Sequence, residues 1–589
     1  MSGKKSGNAI DLGLLKRLFT FVKPYKKLGI AAISLTLILA AISPVRPYLV
    51  QLTIDEAILN PDYPKLIKWV SVMIAFLFIE AIFQFFGTYS SNLLGQLVIR
   101  DIRAKLFRKI NTFKLKYFDN TPVGTLVTRV INDIESIASI FSEGFLQIAA
   151  DFLKIFSVIG VMLAVDWKLT LITLIPVPIL IIATNIFKNG IKKSFTEVRN
   201  KVAELNAFVQ EHIVGMSIIQ IFNKEKDEMD KFQEINKEHR DAHIKSIWYF
   251  SIFFPVVELI SAISIGLVVW YGAGEMLDQI SAQNEAKPGT IISFVLYIYI
   301  LYRPMRQLAD RFNTLQMGVV AAERVFAIFD VDQVMEDKGK INALDIKGKI
   351  EFNKVSFAYN GVDYVLKDIE FIAKPGEKIA LIGATGSGKT SIINLLSRFY
   401  PHNSGEIKID DVPIEEYSIE SLRSAVSVVL QDVFLFSDSI LNNITLFDPN
   451  ISEEEVIEAS KIIGTHDFIS RLPGAYHFNV KERGGLISAG QKQLISFLRA
   501  YVHKPKILIL DEATSSIDTE SETMIQAATE IITKGRTSII IAHRLSTIRH
   551  ADKILVLDKG RIVESGNHEG LMQSENGLYK KLIEIQFSV

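Results

Sequence analysis

Six long apolar runs in the first half of the chain restrict its fold more than any other feature. They cover residues 28–50, 66–87, 145–165, 169–187, 247–271 and 290–308. A helix needs about 20 mostly apolar residues to cross the hydrocarbon core of a bilayer. One such run alone is compatible with a buried helix of a soluble protein, but six in succession favour membrane spans. The sequence therefore predicts an all-α transmembrane domain of six helices over residues 28–325.

Positive charge is concentrated in two of the stretches that connect these runs. The stretch after the second run carries Arg100, Arg103, Lys105, Arg108, Lys109, Lys114 and Lys116. The stretch after the fourth run carries Lys188, Lys192, Lys193, Arg199 and Lys201. The connection 272–289 holds three carboxylates and one lysine. Because lysine and arginine stay on the cytosolic side, both termini and both basic stretches are predicted to be cytosolic, in a multi-pass protein of the cytoplasmic membrane.

Residues 1–27 and the two basic stretches have their own helical patterns. Residues 1–27 predict a basic amphipathic helix that lies on the cytosolic membrane face; a short soluble helix is the alternative. The basic stretches are long, so the spans are expected to continue as helices into the cytosol. Each contains a punctuated turn, at 118–124 and at 215–222. We expect short crosswise helices at these tips, able to touch a cytosolic domain, with plain surface loops as the alternative.

The composition excludes several classes of function. The chain has no cysteine, which rules out disulfides, thiolate metal sites and cysteine nucleophiles. Its 65 basic and 65 acidic residues balance, so no global field recruits nucleic acid. Hydrophobic residues make up 49% of the chain, and their excess lies in the first half. After a linker over 326–347, residues 348–589 have the pattern of an ordinary α/β domain.

This second half contains a strand, a glycine-rich loop and a helix in direct succession. The apolar strand 378–382 leads into Gly383, Ala384, Thr385, Gly386, Ser387, Gly388, Lys389 and Thr390, and a helical stretch begins at Ser391. In such a P-loop the glycines let backbone N–H groups approach phosphate oxygens, and the helix start adds partial positive charge. Lys389 is predicted to reach the β- and γ-phosphates of ATP, and Thr390 to ligate Mg²⁺.

Polar residues follow three further apolar strands of this half. Asp511 and Glu512 follow 506–510, His543 follows 537–542, and Gln431 follows 428–430. Sheets of α/β proteins bind ligands at the carboxyl ends of their strands. Asp511 is predicted to bind Mg²⁺, and Glu512 to act as the general base on the attacking water. His543 is a candidate contact to the γ-phosphate, and Gln431 to Mg²⁺ or the water. Solvated strand ends and a structural histidine are the alternatives.

Taken in order, these residues resemble the ATPase domains of ABC transporters. The shared motifs are Tyr359, residues 383–390, Gln431, residues 487–491, 510–512 and 515–518, and His543. The first half resembles the exporter branch of that family at 47–49, 118–119 and 321–326. Nucleotide contacts are then implied at Tyr359, Ser391, Ser488, Gly490, Gln491 and Asp518. The Tyr359 ring is a candidate for stacking on adenine; packing into the core is the alternative.

The resemblance also implies a mechanism that needs two copies of the ATPase domain. Two domains close head to tail on two ATP molecules, each held between one P-loop and the partner's signature motif. Closure passes through the tips near 118–125 and 215–222 and turns the membrane cavity from inward- to outward-facing. Hydrolysis at Glu512 then resets the transporter.

Two positions depart from the family pattern. The signature motif has Ala489 where the family has glycine, which adds a Cβ where phosphate comes close and would be strained at a positive φ. Lys481 also stands where the family often has glycine. An altered signature beside an intact Glu512 resembles the catalytically intact half of bacterial heterodimeric multidrug exporters. The implied partner is a second half-transporter with a degraded catalytic base; a homodimer is the alternative.

Charged residues within the apolar runs are candidates for substrate contacts. They are Arg46, Glu80, Glu258 and Arg303. Glu258 in the central cavity would favour cationic, apolar compounds, whereas a structural Glu258–Arg303 pair is the alternative. The favoured function is ATP-driven efflux of hydrophobic or amphipathic compounds. A homodimeric lipid flippase, and a channel-type or regulatory ABC protein, are the alternatives.

Overall fold

The structure, a computed structural model, describes residues 12–59, 61–281, 287–343, 345–511, 519–542, 544–574 and 576–587. These residues divide into two compact units. The first unit falls within the ranges Met1–Asn111 and Thr121–Asp332, and the second falls within Thr112–Asn120 and Gln333–Val589. The first is helical and the second is an α/β unit, so the expected fold class is confirmed.

The first unit consists of helices joined by short breaks. Its α-helices are Leu12–Thr20, Lys26–Ile42, Val45–Thr53, Tyr63–Ile110, Val123–Thr128, Ile134–Ser139, Phe145–Val165, Trp167–Leu174, Val177–Val214, Met216–Ile221, Glu225–Ser281 and Pro288–Phe329. Three π-helical turns, Ile54–Ile58, Arg129–Asp133 and Ile140–Gly144, and the 3₁₀ turn Lys23–Tyr25 lie between them.

Within the described ranges, five helical stretches are long and apolar enough to cross a membrane. They are Lys23–Ile58, Tyr63–Ile110, Val123–Val165, Trp167–Val214 and Glu225–Asp278. They contain the first five predicted runs. The sixth run lies within the helix Pro288–Phe329, which is not one of the five. Its helical structure is confirmed, and its crossing of the membrane stays a prediction.

Several helices are much longer than a bilayer is thick. Tyr63–Ile110 has 48 residues, Val177–Val214 has 38 and Glu225–Ser281 has 57. At 1.5 Å per residue these helices are about 72, 57 and 86 Å long, against a hydrocarbon core of about 30 Å. The expected continuation of the spans beyond the membrane is therefore confirmed.

Local sequence explains where these helices begin and break. Asp166 is the N-cap of Trp167–Leu174 and accepts hydrogen bonds from the backbone N–H groups of Lys168 and Leu169 at 2.8 and 3.0 Å. This cap makes the tight turn between the third and fourth runs. The fourth run is not one continuous helix, because the chain breaks at Pro176 before Val177–Val214 begins. Proline is favoured at such a helix start and disrupts a helix interior.

The tip at 215–222 forms the expected short helix. Gly215 ends the helix Val177–Val214, the separate helix Met216–Ile221 follows, and Glu225–Ser281 begins after a turn. The other tip differs slightly from the expectation, since its helix Leu115–Asp119 ends before Pro122 and Val123–Thr128 begins directly after it.

The second unit contains two sheets. Its strands are β1 Ile350–Phe357, β2 Leu366–Ala373, β3 Lys378–Gly383, β4 Ser404–Ile409, β5 Val412–Pro413, β6 Val426–Val429, β7 Ile507–Asp511, β8 Thr537–Ile541, β9 Lys553–Asp558 and β10 Arg561–Gly566. One sheet is antiparallel with the order β2-β1-β4-β5. The larger sheet has the order β10-β9-β3-β8-β7-β6 and is parallel except at β10.

Helices surround these sheets. They are Leu115–Asp119, Lys389–Leu396, Ile419–Ala425, Ile440–Thr445, Glu453–Ile463, His466–Ser470, Ala489–Val502, Thr519–Thr533, Leu545–Arg549, His568–Met572 and Leu578–Phe587, with 3₁₀ turns Ala475–His477 and Glu482–Gly484. Alternate residues of each central strand enter opposite cores: Leu508 and Leu510 of β7 lie in one, Ile507 and Ile509 in the other. Burial on both faces explains the uninterrupted apolar runs of these strands.

The segment Thr112–Asn120 belongs to the α/β unit although the chain around it belongs to the helical unit. Its backbone pairs with the stretch that begins the second unit: Lys114 N–H donates to Gln333 at 2.9 Å, and Met335 N–H donates to Thr112 at 2.8 Å. Leu115 packs against one of the two cores. The expectation that this tip touches the ATPase half is confirmed.

Candidate functional site

The loop 383–390 connects the central strand β3 to the helix Lys389–Leu396. Gly386 and Gly388 have φ of +83° and +106°, in the left-handed region that favours glycine. A Cβ on Gly388 would lie 2.6 Å from the Leu366 side chain. Glycine is therefore required there by both conformation and space. The loop has the concave backbone that phosphate binding needs.

Two side chains of this loop point into it. The Lys389 Nζ donates to the carbonyl oxygens of Gly383 and Ala384 at 2.7 and 3.1 Å. Burial lowers the pKa of Lys389, and the charge of Asp511 acts in the opposite direction. The Ser387 Oγ is buried, and among the described residues it has no hydrogen-bond partner. A half-buried cation and an unsatisfied hydroxyl on the same loop fit a triphosphate, whose oxygens accept from both.

Asp511 and Gln431 lie at the same edge of the sheet as this loop. Asp511 is the last residue of β7 and is in register with Ile541 of β8, which pairs with Leu381 of β3. One strand therefore separates Asp511 from the P-loop strand, about 10 Å at ordinary strand spacing. Gln431 is exposed and follows β6, the neighbour of β7 on its other side. The predicted convergence of these strand ends is confirmed.

Three predicted site residues lie outside the described residues. They are Glu512, Asp518 and His543. Glu512 directly follows Asp511 at the end of β7, and His543 follows Ala542, one residue beyond the end of β8. Their proposed roles stay predictions.

Tyr359 has contacts that the sequence did not reveal. Its hydroxyl bonds with Ser391 Oγ at 3.1 Å and accepts from Asn394 Nδ2 at 3.0 Å, both on the helix after the P-loop. Its ring packs edge-on against Phe357 and Tyr400, with centroids 4.6 and 5.0 Å away. The side chain is only partly buried. Stacking on adenine stays a prediction, while the link from Tyr359 to the P-loop helix is a finding.

The signature residues form the start of a well-capped helix. Ser488 is the N-cap of Ala489–Val502: its Oγ accepts from Gln491 N–H at 3.2 Å, and the Gln491 side chain accepts from Ser488 N–H at 3.0 Å. Gly490 is buried, whereas Ser488 and Ala489 are exposed. This exposed helix start, with its partial positive charge, suits a phosphate group.

Ala489 does not carry the strain that a positive φ would cause. It is the first residue of the helix and is not among the described residues of positive φ. The concern about backbone strain at this position is therefore wrong, and the exposed Cβ remains as the difference from glycine. Lys481 shows the strain instead, because its φ and ψ are +61° and −172°. Essentially only glycine adopts that region.

Comparisons with known proteins cover nearly all of the chain. The family model for the ABC transporter transmembrane region matches residues 30–305, and the one for the ABC transporter matches 366–515. The ABC transporter ATP-binding protein YknV of Bacillus subtilis (strain 168) is 38% identical over 97% of this chain and 94% of its own length. The chain belongs to the ABC transporter family.

Other relatives of this ABC transporter carry names that describe what they move. YgaD of Bacillus subtilis (strain 168), named for multidrug export as an ATP-binding/permease protein, is 37% identical over 98% of this chain and all of its own. The ATP-dependent lipid A-core flippase of Syntrophus aciditrophicus (strain SB) is 34% identical over 98% of this chain and 95% of its own. The chain is thus an ABC exporter: a multi-pass membrane protein that binds and hydrolyses ATP to drive transport and works as a dimer.

The membrane half of this ABC transporter holds more charge than the sequence analysis named. Asp151 and Lys154 both lie on the helix Phe145–Val165. Asp151 forms an ion pair with Arg311 at 2.8 Å, and Lys154 follows it by three residues on the same helix. Arg46, Glu80 and Arg303 were predicted, but Asp151 and Lys154 were missed. Two charges within an apolar run of 21 residues were the available signal.

Proposed function

We propose that this ABC transporter exports hydrophobic or amphipathic compounds across the cytoplasmic membrane as one half of a heterodimer. In this proposal residues 1–27 are the elbow segment, of which the structure describes the helix Leu12–Thr20, 28–325 are a six-helix transmembrane domain, 326–347 a linker and 348–589 the nucleotide-binding domain. Both termini and the ATPase domain lie in the cytosol. The observation that carries the proposal is the convergence of the P-loop, Asp511 and Gln431 at one sheet edge, in a chain with membrane-spanning helices.

Each residue at the sheet edge has a proposed role in ATP hydrolysis. Lys389 and the P-loop N–H groups hold the phosphates. Thr390, Gln431 and Asp511 offer hydroxyl, amide and carboxylate oxygens, the kind of donor that Mg²⁺ prefers, so this set fits the ion. When bound, Mg²⁺ neutralises phosphate charge. Glu512 orients and deprotonates the attacking water as general base.

His543 and the signature residues complete the proposed site. His543 contacts the γ-phosphate from the end of β8. Ser488, Gly490 and Gln491, with Asp518, contact nucleotide held by the partner. The exposed, capped start of Ala489–Val502 supports this role, since a partner's phosphate needs direct access to that helix end.

Contacts within the second unit suggest how the effect of ATP binding is transmitted from the P-loop helix to the tip at 112–120. Lys116 Nζ donates to the Tyr359 carbonyl oxygen at 2.9 Å, and the Tyr359 hydroxyl bonds with Ser391 on the P-loop helix. Asp119 in the same tip accepts from the Tyr400 hydroxyl. We propose that this chain of contacts transmits ATP-driven closure. The second tip exposes Ile221 and Phe222, at 74% and 68%, which suits docking on the partner's ATPase domain.

The heterodimer is proposed from the signature motif. Ala489 places its Cβ at the exposed helix start where a partner's γ-phosphate must approach, whereas Lys389 and Asp511 of the same chain are in place. A site made from this chain's P-loop and a normal partner signature would hydrolyse ATP, and the opposite site would turn over slowly. A homodimeric lipid flippase is the second candidate, because a lipid A-core flippase matches this chain over almost its full length.

Vanadate trapping of nucleotide tests the assembly. The full chain is purified alone and after co-expression with a candidate second half-transporter. One trapped nucleotide per dimer, found only in the co-expressed sample, supports the heterodimer. Two trapped nucleotides per dimer with this chain alone would exclude it and favour the flippase. A Glu512→Gln variant should lose at least about a hundredfold in ATP turnover, and native turnover in that variant would refute the catalytic scheme.

The proposed role of Glu258 in substrate choice has a simple test. Glu258 lies on the helix Glu225–Ser281 and is exposed in the single chain. A Glu258→Gln variant should transport cationic dyes more slowly if its charge attracts them. Unchanged dye transport would remove the role.

A further inference from the structure

A cavity of about 440 Å³ lies among the helices of the first unit. Its walls come from the segment around Asp133 and from the helices Val177–Val214, Glu225–Ser281 and Pro288–Phe329. This volume falls within the range of about 300–1,000 Å³ that is usual for ligand pockets. The ATP site accounts for none of these residues, so the cavity needs an explanation of its own.

One side of the cavity, the aromatic wall, is formed by Phe187, Phe195 and Phe250. The rings of Phe187 and Phe250 are 5.2 Å apart, and those of Phe195 and Phe250 are 6.2 Å apart. Phe187 also stacks on Phe253 at 4.0 Å, which fixes its ring. A wall of packed rings suits an apolar chain or a flat apolar group.

Positively charged side chains line the cavity from the helix Val177–Val214, which also carries Phe187 and Phe195 of the aromatic wall. Lys188, Lys192 and Arg199 line the cavity and form its basic face. Their spacing of four and seven residues places them on one side of Val177–Val214. The acidic residues of the wall balance them only in part: Asp133 is already paired with Arg129 and Arg324, which leaves Asp310.

The positive-inside rule explains basic residues near the ends of spans, but it does not explain which face of a helix they occupy. Some lysines elsewhere on these helices have acidic partners. Lys201 pairs with Glu204 at 2.8 Å, and Lys245 pairs with Glu197 at 2.7 Å. By contrast, within the part of the chain that the structure describes, Lys188 and Lys192 have no carboxylate within ion-pair distance. Two unpaired cations that share a cavity with an aromatic wall suit a ligand of opposite charge.

We propose that this cavity binds an anionic amphiphile, with its charged group on the basic face and its apolar part against the aromatic wall. The proposal rests on the proposed export of amphipathic compounds and names their charge. The cavity favours a negatively charged substrate, whereas Glu258 alone would attract a positively charged one. A negative group with an apolar tail satisfies both sides of the cavity, whereas a cationic compound would be repelled by the basic face.

Direct binding to the full-length chain in dodecyl maltoside tests the site without relying on transport. Titration calorimetry with dioctanoylphosphatidylglycerol should give saturable binding. Dioctanoylphosphatidylcholine has the same tails and phosphate but a compensating cation, and it should bind at least about tenfold more weakly. Glycerol 3-phosphate, which has the charge without the tails, should not compete. Equal affinity for the two lipids, or full competition by glycerol 3-phosphate, would overturn the proposal.

Charge-neutral variants locate the binding. In a Lys188→Gln/Lys192→Gln double variant the dissociation constant for dioctanoylphosphatidylglycerol should rise about 25-fold, since each lysine contributes about fivefold. Lys193→Gln is the matched control, because Lys193 is adjacent in sequence but does not line this cavity. All three substitutions replace exposed side chains, so folding should be unaffected. An unchanged constant in the double variant, or an equal rise in the control, would refute the site.

The outcome for this site is separable from that for the proposed function. ATP-dependent dye efflux that persists, together with lipid binding that is insensitive to the two lysines, refutes the site alone. Lysine-dependent lipid binding without ATP-driven transport of any amphiphile refutes the export function and leaves the site in place.

Discussion

Replacing Lys481 by glycine should stabilise the protein. Lys481 lies in the turn before the signature helix with φ of +61° and ψ of −172°, and a Cβ in that region costs about 1–3 kcal/mol. Its backbone N–H donates to Asn479 Oδ1 at 2.9 Å, a bond that glycine keeps. The side chain is exposed, so removing it loses little packing.

The magnitude follows from two opposing terms. Relief of the strain contributes about 2 kcal/mol, and the greater freedom of glycine in the unfolded chain costs about 0.5–1 kcal/mol. The net gain is about 1 kcal/mol. For a unit of about 250 residues this raises the melting temperature by about 2–4 °C. Thermal unfolding of the full-length protein in detergent, followed by scanning fluorimetry with ATP absent, measures the change.

Alanine at the same position provides the control. Lys481→Ala removes the long side chain but keeps the Cβ, and so it should leave the melting temperature within about 1 °C. A glycine variant no more stable than the alanine variant would show that the turn carries no strain and would refute the reasoning.

Three further substitutions test other parts of the structure. Ala489→Gly should tighten nucleotide binding at the site that uses this signature, measured as nucleotide affinity with the partner present; an unchanged affinity contradicts the proposed hindrance. Gly289→Ala should lower the melting temperature, because its Cβ would lie 2.6 Å from Asp55 Oδ1 and such overpacking costs about 1–3 kcal/mol; Gly274→Ala, with nothing within 4 Å, should not. Asp119→Ala should keep ATPase activity but reduce dye transport; equal loss of both argues against coupling through this tip.

The sequence predicted best those features that depend on neighbouring residues. The P-loop is a contiguous strand, loop and helix, so Gly386, Gly388 and Lys389 were identifiable before the structure. The parallel sheet then accounts for Asp511, because buried strands that end in polar residues must meet at one edge. The P-loop depends on residues that are adjacent in sequence, and the position of Asp511 depends on the regular geometry of a parallel sheet.

Features that depend on distant contacts could not be predicted in the same way. The bond between Asp119 and Tyr400 joins residues 281 positions apart, and no local pattern signals it. Lys154 was hidden by the high average hydropathy of its helix. The sequence marked Lys481 as unusual, but only its backbone angles reveal strain. The break at Pro176 was missed because the apolar pattern continues through it.

The membership of Thr112–Asn120 in the ATPase unit also has a consequence for biogenesis. At about 5–20 residues per second, a ribosome needs roughly 15–55 s to advance from Asp119 to Tyr400. During that interval Phe113, which is buried in the finished protein, has no native surroundings. The segment Thr112–Asn120 therefore stays accessible to chaperones and proteases until the part of the ATPase unit that it packs against has been synthesised. Substitutions in this tip should consequently lower the yield of mature transporter as well as its activity.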